Sequence, residues 1–183
     1  MSASEPPEGL VYAPDFLSEE EEAELVVELE RLGFEEVRMR GQKARRTVHH
    51  FGVDYEYQGG TITPGESLPV SFERLRERSA ALAGLDADDL AQTLVSRYPP
   101  RAGIGWHCDA PLFGSKIVGV SLLSKSRLRL RPREGLGGES FSLELEPRSA
   151  YVLGGAMRSD WEHSIQPTRA LRYSLTFRTL NRP

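Results

Sequence analysis

Leu171-Arg172-Tyr173-Ser174-Leu175-Thr176-Phe177-Arg178-Thr179-Leu180 alternates in character along its length. With a period of two, Arg172, Ser174, Thr176 and Arg178 fall on one face of a strand. Upstream, from Thr93 onward, Gly and Pro divide the chain into further short runs of strand character: Leu94 to Tyr98, Ile117 to Leu123, Arg127 to Arg131, Phe141 to Leu145 and Ala150 to Leu153. Before Thr93 the pattern is helical. Ser18 and Glu21 form a capping-box signature ahead of Leu25, Val26, Leu29 and Leu32. A second helix is expected from near Pro69 to Gly84, and a short third one from Asp86. Helices in front and strands behind predict an α+β chain, a sandwich or jelly roll with N-terminal helices packed on one sheet.

Length and composition fit a single domain over 1–183: 183 residues with 39% hydrophobic content can bury one core. No apolar run is long enough to span a bilayer, and the N-terminus lacks the basic and apolar regions of a signal peptide. The expectation is a cytoplasmic protein without a membrane partner, and a monomer. The one cysteine, Cys108, cannot form an internal disulfide, which agrees with a reducing compartment. The net charge of -4 gives no bulk sign of polyanion binding.

Chemistry concentrates at Trp106-His107-Cys108-Asp109. On a strand, His107 and Asp109 would share a face while Cys108 turns away to pack. The chain has 4 His. His49 and His50 lie far upstream, which leaves His163 to complete a set of two His and one carboxylate. Such a set binds Fe(II) on one face and leaves positions open for a cosubstrate and dioxygen. A carboxylate bound in a partly dry cleft needs a planar cationic fork, which Arg supplies and Lys does not. Arg172 is preferred over Arg169, which follows Pro167 in an expected turn.

Leu94-Val95-Ser96-Arg97-Tyr98, Gly103 to Asp109, Val118 to Leu123, Leu153 to Arg158, Trp161 to Ile165 and the terminal run together resemble the AlkB family of Fe(II)- and 2-oxoglutarate-dependent dioxygenases. The resemblance implies a double-stranded β-helix with His107, Asp109 and His163 as catalytic iron ligands at its open mouth. It implies that Arg172, helped by Tyr98, grips the distal carboxylate of 2-oxoglutarate, with Arg178 and Ser174 near the metal-chelating end. It also implies consumption of O2 and release of succinate and carbon dioxide, with formaldehyde lost when an N-alkyl group is hydroxylated. The sequence departs from the family pattern at three places. Ser96 and Ser174 stand where many members carry Asn, and Pro111 stands where several nucleobase-repair members are acidic. A hydroxyl still donates one hydrogen bond, so Ser96 and Ser174 remain candidate cosubstrate contacts.

Arg38, Arg40, Lys43, Arg45 and Arg46 precede His49, His50, Phe51, Tyr55 and Tyr57. Cations beside aromatic rings suit phosphate contact and base stacking. In similar proteins this part, here about 36–65, forms a substrate-recognition lid. On the residues alone, a solvated loop followed by an ordinary hairpin is the alternative. Arg45, Arg46, Phe51 and Tyr55 are therefore candidate substrate residues. Arg158, Asp160 and Trp161 are candidates to shape the pocket, with plain packing preferred for Trp161. Arg127, Arg129, Arg131 and Arg133 alternate with Leu128 and Leu130, which reads as a half-exposed strand with a basic outer face. The partner expected first is a nucleic acid carrying alkylated bases. The alternative, suggested by the acidic balance and Pro111, is a protein, lipid or small-molecule substrate. A non-enzymatic binding module comes third, because every ligand position is intact.

Overall fold

The computed structural model describes residues 6–39, 42–55 and 62–181. In chain order the elements are β1 (Leu10–Ala13), α1 (Glu19–Glu30), β2 (Glu35–Met39), β3 (Gln42–Phe51), β4 (Val53–Tyr55), β5 (Ile62–Pro64), α2 (Val70–Ala83), β6 (Leu90–Tyr98), β7 (Ile104–His107), β8 (Phe113–Leu122), β9 (Ser126–Pro132), β10 (Phe141–Leu145), β11 (Ser149–Gly154), α3 (Ala156–Ser159), β12 (Trp161–Ile165) and β13 (Arg172–Leu180). A seven-stranded sheet runs β1-β11-β8-β13-β6-β3-β2 and faces a four-stranded sheet, β10-β9-β12-β7; β4 and β5 form a separate ribbon. All pairs are antiparallel.

Strand alternation gives the large sheet two unlike faces. Val95, Val118, Val120, Val152, Leu175 and Phe177 point to one side, where Leu25 and Leu29 of α1 and Phe72 and Leu75 of α2 cover them. Tyr98, Tyr151 and Leu153 point to the other, toward Leu128, Leu130, Leu145 and Ile165 of the small sheet. The result is the expected jelly roll with helices on one sheet, and its inter-sheet space holds the site described below.

The helices begin and end where the sequence says. The Glu21 N–H donates to Ser18 Oγ (3.1 Å) and the Ser18 N–H donates to Glu21 Oε2 (2.8 Å), closing the capping box. α2 stops at Gly84, which takes the left-handed conformation at φ 63°. From Asp86 there is only one 3-10 turn, Ala87–Asp89. The division into helices first and strands later is corrected: β1 precedes α1, and β2 to β5 lie between the two long helices. β1 is recruited by pairing with β11, and β3 by pairing with β6 from Thr47↔Arg97 to Phe51↔Thr93. The segment 36–65 therefore starts as a hairpin of β2 and β3 continuous with the main sheet. No helix among the described residues is long and apolar enough to cross a membrane.

Candidate active site

β7 ends at His107 and lies beside β12, where His163 stands opposite it with the two rings 4.2 Å apart between centroids. Asp109 lies beyond the strand, so the in-strand alternation expected for His-x-Asp is not what brings it in. The turn after β7 does, and it is clamped from α3. Arg158 donates through Nε to Gly114 O (3.1 Å) and through Nη2 to Ala110 O (2.8 Å) and Phe113 O (2.7 Å). Nε and Nη2 of Arg158 are thus engaged by three carbonyls and order the turn that carries Asp109, a structural role beside the substrate role expected of it. Arg178 Nη2 donates to Asp109 Oδ1 (2.5 Å), while Asp109 Oδ2 lies 3.4 Å from His163 Nε2. One ligand atom from each of His107, Asp109 and His163 falls within 4.8 Å of the others. His107 Nδ1 is 2.8 Å from Gly105 O; a proton on Nδ1 donated to that carbonyl leaves the Nε2 lone pair for a cation. Cys108 stands outside the three-residue cluster, its Sγ 3.5 Å from Trp161 O.

The electrostatics suit a divalent cation. Burial alone would raise the Asp109 pKa, but Arg178, His163 and His107 outweigh it and bring it to about 2. Burial, reinforced by His107, lowers His163 to about 4, and burial also lowers His107. Near neutral pH the set is therefore one carboxylate and two neutral imidazoles, the donor forms a metal needs. Both imidazoles titrate below the ordinary histidine value, so protons compete with the metal later than they would at free histidines. Mn(II) affinity is thus expected to hold through pH 6.5 and to be lost as pH falls toward 4, where His163 protonates, measured by calorimetric titration. A decline already centred at 6.5, the ordinary histidine value, would contradict this.

From this cluster a cavity of about 360 Å³ runs inward between the sheets. At its deep end sits Arg172, fully buried, with Nε donating to Ser121 Oγ (2.9 Å) and its guanidinium 5.1 Å from the Tyr98 ring centroid. Its Nη1 and Nη2 have no hydrogen-bond partner among the described residues. A buried cation with two idle donor nitrogens is costly unless an anion completes it, and the parallel donors match a carboxylate. Ser96, Ser174 and Thr176 line the same cavity, as strand alternation requires, whereas Arg169 is exposed in the turn before β13. Sequence reasoning missed Tyr151. It sits opposite Gly119 in the β11–β8 register, and a Cβ on Gly119 would meet its ring at 2.3 Å. The missing side chain makes room for the ring, whose hydroxyl is pushed up to about 12 by burial. A metal chelated by the three-residue cluster and a dicarboxylate reaching Arg172 both fit the residues present.

Residues 9–178 match the family model of the 2OG-Fe(II) oxygenase superfamily. The chain belongs to that superfamily. A superfamily of that description pairs Fe(II) with 2-oxoglutarate, and the metal cluster and the buried Arg172 fit those two groups. Among its curated relatives, the mitochondrial alpha-ketoglutarate-dependent dioxygenase alkB homolog 7 of Mus musculus is 35% identical over 85% of this chain and 66% of that protein. The Mus musculus tRNA (carboxymethyluridine(34)-5-O)-methyltransferase ALKBH8 is 28% identical over 89% of this chain and 25% of that protein. The alpha-ketoglutarate-dependent dioxygenase AlkB of Escherichia coli (strain K12) is 32% identical over 72% and 65%. These relatives support the AlkB resemblance, and the chain spans at most 66% of their lengths. The solved structure of OsALKBH1 shares the fold, with a TM-score of 0.76 at 17% identity, covering 96% of this chain and 99% of that one.

At the outer end of the cavity, the alternation of β3 sorts the candidate substrate residues. Arg46, Val48 and His50 line the cavity, joined by Val37 and Arg38 of β2. Arg46 is near enough to His107 to contribute to the lowering of its pKa. Arg45 lies outside the lining and is exposed on the other side of the strand. The stacking role expected of Phe51 is corrected. The side chain is fully buried, its ring 4.5 Å from that of His49 and 6.0 Å from that of Phe72 beneath the helices. Phe51→Ala is therefore expected to cost about 3–5 kcal/mol of stability, read from the urea midpoint, with the salt dependence of oligonucleotide binding unchanged. Arg40, Tyr57 and the side chain of Tyr55 lie outside the described residues. On the far side of the small sheet, Arg129 and Arg131 cover the Trp106 ring at 4.8 and 4.3 Å. Arg127 pairs with Glu144 and Arg131 with Glu162, so two of the four arginines of this basic face are neutralised.

Proposed function

We propose that this oxygenase hydroxylates the alkyl carbon of an N-alkylated nucleobase in DNA or RNA. The reaction couples oxidative decarboxylation of 2-oxoglutarate, giving succinate and carbon dioxide, to insertion of one oxygen atom into a substrate C–H bond. When the carbon is bonded to nitrogen, the resulting hemiaminal expels formaldehyde and leaves the dealkylated base. Bound Fe(II) supplies the dioxygen chemistry. In this reading His107, Asp109 and His163 hold the iron, and Arg178 fixes the Asp109 carboxylate. Arg172 and Tyr98 bind the distal carboxylate of the cosubstrate, with Tyr151 beside them. Ser96 and Ser174 flank its other end. The low-dielectric inter-sheet space excludes water from the reacting groups.

The observation that carries the substrate class is the placement of Arg38 and Arg46 at the cavity mouth, where phosphate groups flanking an extruded base would meet them. A second reading, oxidation of an anionic protein side chain, lipid or small molecule, is favoured by the burial of Phe51, which removes one expected stacking ring from the mouth. Oligonucleotide binding across a salt series, run beside succinate formation, separates the two. Neutralising Arg46 is expected to weaken binding and flatten the slope of log K against log salt by about one. Succinate formation by a wild-type protein with no salt-dependent oligonucleotide binding would reject the nucleic-acid reading.

A further inference from the structure

Behind Asp109, Arg178 continues a chain of contacts. Its Nη2 holds Asp109 Oδ1, and its Nη1 donates to Gln92 Oε1 at 3.0 Å. Gln92 Nε2 in turn donates to Val53 O at 2.9 Å. Every side chain in the series is buried: Gln92 is 1% exposed and Arg178 6%. Gln92 and Arg178 are direct partners in the β6–β13 register, and the Phe113 ring lies 4.5 Å from the guanidinium.

Val53 is where the chain leaves the main sheet for the β4–β5 ribbon. The preceding Gly52 has φ 86°, and a Cβ there would meet Ala91 O at 2.2 Å, so the backbone is pressed onto β6 just beside Gln92. Gly52 N donates to Glu66 O (2.7 Å) and Gly65 N to Gly52 O (3.0 Å), joining the two strands of the ribbon at its base. The same segment carries Arg38 and Arg46 on its other arm.

We propose that Gln92 is a positioning residue that holds Arg178 on Asp109 and, through its own amide, ties that carboxylate to the ribbon at Val53. The position of the ribbon and the orientation of the carboxylate are thereby set together. The residue type follows from the two roles. Oxygen must accept from a guanidinium while nitrogen donates to a carbonyl, and a neutral amide does both at once. A carboxylate at 92 keeps the first contact and loses the second; an apolar side chain loses both.

The inference rests on the metal assignment above, and its test uses the full chain as wild type, Gln92→Glu and Gln92→Leu. Mn(II) titration reports the carboxylate, and hydrogen–deuterium exchange over residues 52–55 and 62–66 reports the ribbon. In the wild type, Mn(II) with 2-oxoglutarate is expected to slow exchange in the ribbon. Gln92→Leu is expected to lose that protection together with roughly ten- to hundredfold in metal affinity, the usual cost of removing an outer support of a ligand. Gln92→Glu is expected to keep metal affinity within about threefold yet lose the protection, a split that simple loss of packing does not produce. If Gln92→Leu does not fold, Gln92→Glu decides. Wild-type protection in Gln92→Glu overturns the proposal. A wild type that binds no Mn(II) overturns it as well, but by removing the metal assignment, a different pattern of results.

Discussion

Replacing Arg172 by alanine raises the 2-oxoglutarate concentration needed for half-maximal succinate formation by roughly thirtyfold to several thousandfold, equivalent to about 2–5 kcal/mol. The size of the effect comes from burial. Arg172 is fully buried, and two of its three nitrogens find no hydrogen-bond partner among the described residues. The distal carboxylate supplied by 2-oxoglutarate is then a desolvated, bidentate partner, and removing the cation leaves that carboxylate buried and unpaired. Arg169→Ala, in the exposed turn before β13, is expected to change the titration little. A reversed ranking of the two variants would place the cosubstrate elsewhere.

Alanine at His107, Asp109 or His163 is expected to abolish turnover and stoichiometric Mn(II) binding. Three donors leave no surplus, because the remaining coordination positions are open to cosubstrate and dioxygen. Asp109→Ala has a further consequence: Arg178, 6% exposed, loses the anion it pairs with at 2.5 Å. An unpaired buried charge costs about 3–5 kcal/mol, so this variant is also expected to unfold at lower denaturant than His107→Ala. Calorimetric titration with Mn(II) and urea melts read the two effects separately. Unchanged metal affinity in all three variants would exclude this cluster as the metal site.

What could be read from the sequence was what periodicity controls locally. The run from Leu171 to Leu180 showed its two faces because its apolar and polar residues alternate almost without exception, and the structure has Arg172, Ser174, Thr176 and Arg178 lining one cavity. Ser18, Glu21 and Gly84 marked helix ends because capping is a short-range matter. β3 was harder. Gln42–Phe51 carries charge or polarity on both faces, so its composition, basic then aromatic, obscured the period that sends Arg46 inward, leaves Arg45 exposed and puts Phe51 under the helices. Asp109 reached its place by a turn held from Arg158, 49 positions along the chain, and no local pattern encodes that contact. Tyr151 depends on the absence of a side chain at Gly119, which becomes meaningful only once β8 and β11 are known to be neighbours. Gln92 lies outside the strand that the apolar run from Leu94 predicts, whereas β6 begins at Leu90.

The most direct test is an anaerobic calorimetric titration of 2-oxoglutarate into the Mn(II)-loaded wild-type protein, beside the metal-free protein and Arg172→Ala. If the metal cluster and the buried guanidinium grip opposite ends of one cosubstrate, binding is one-to-one in the loaded wild type and is strongly weakened by removing either the metal or Arg172. Equal 2-oxoglutarate affinity with and without metal, or in Arg172→Ala, would contradict it.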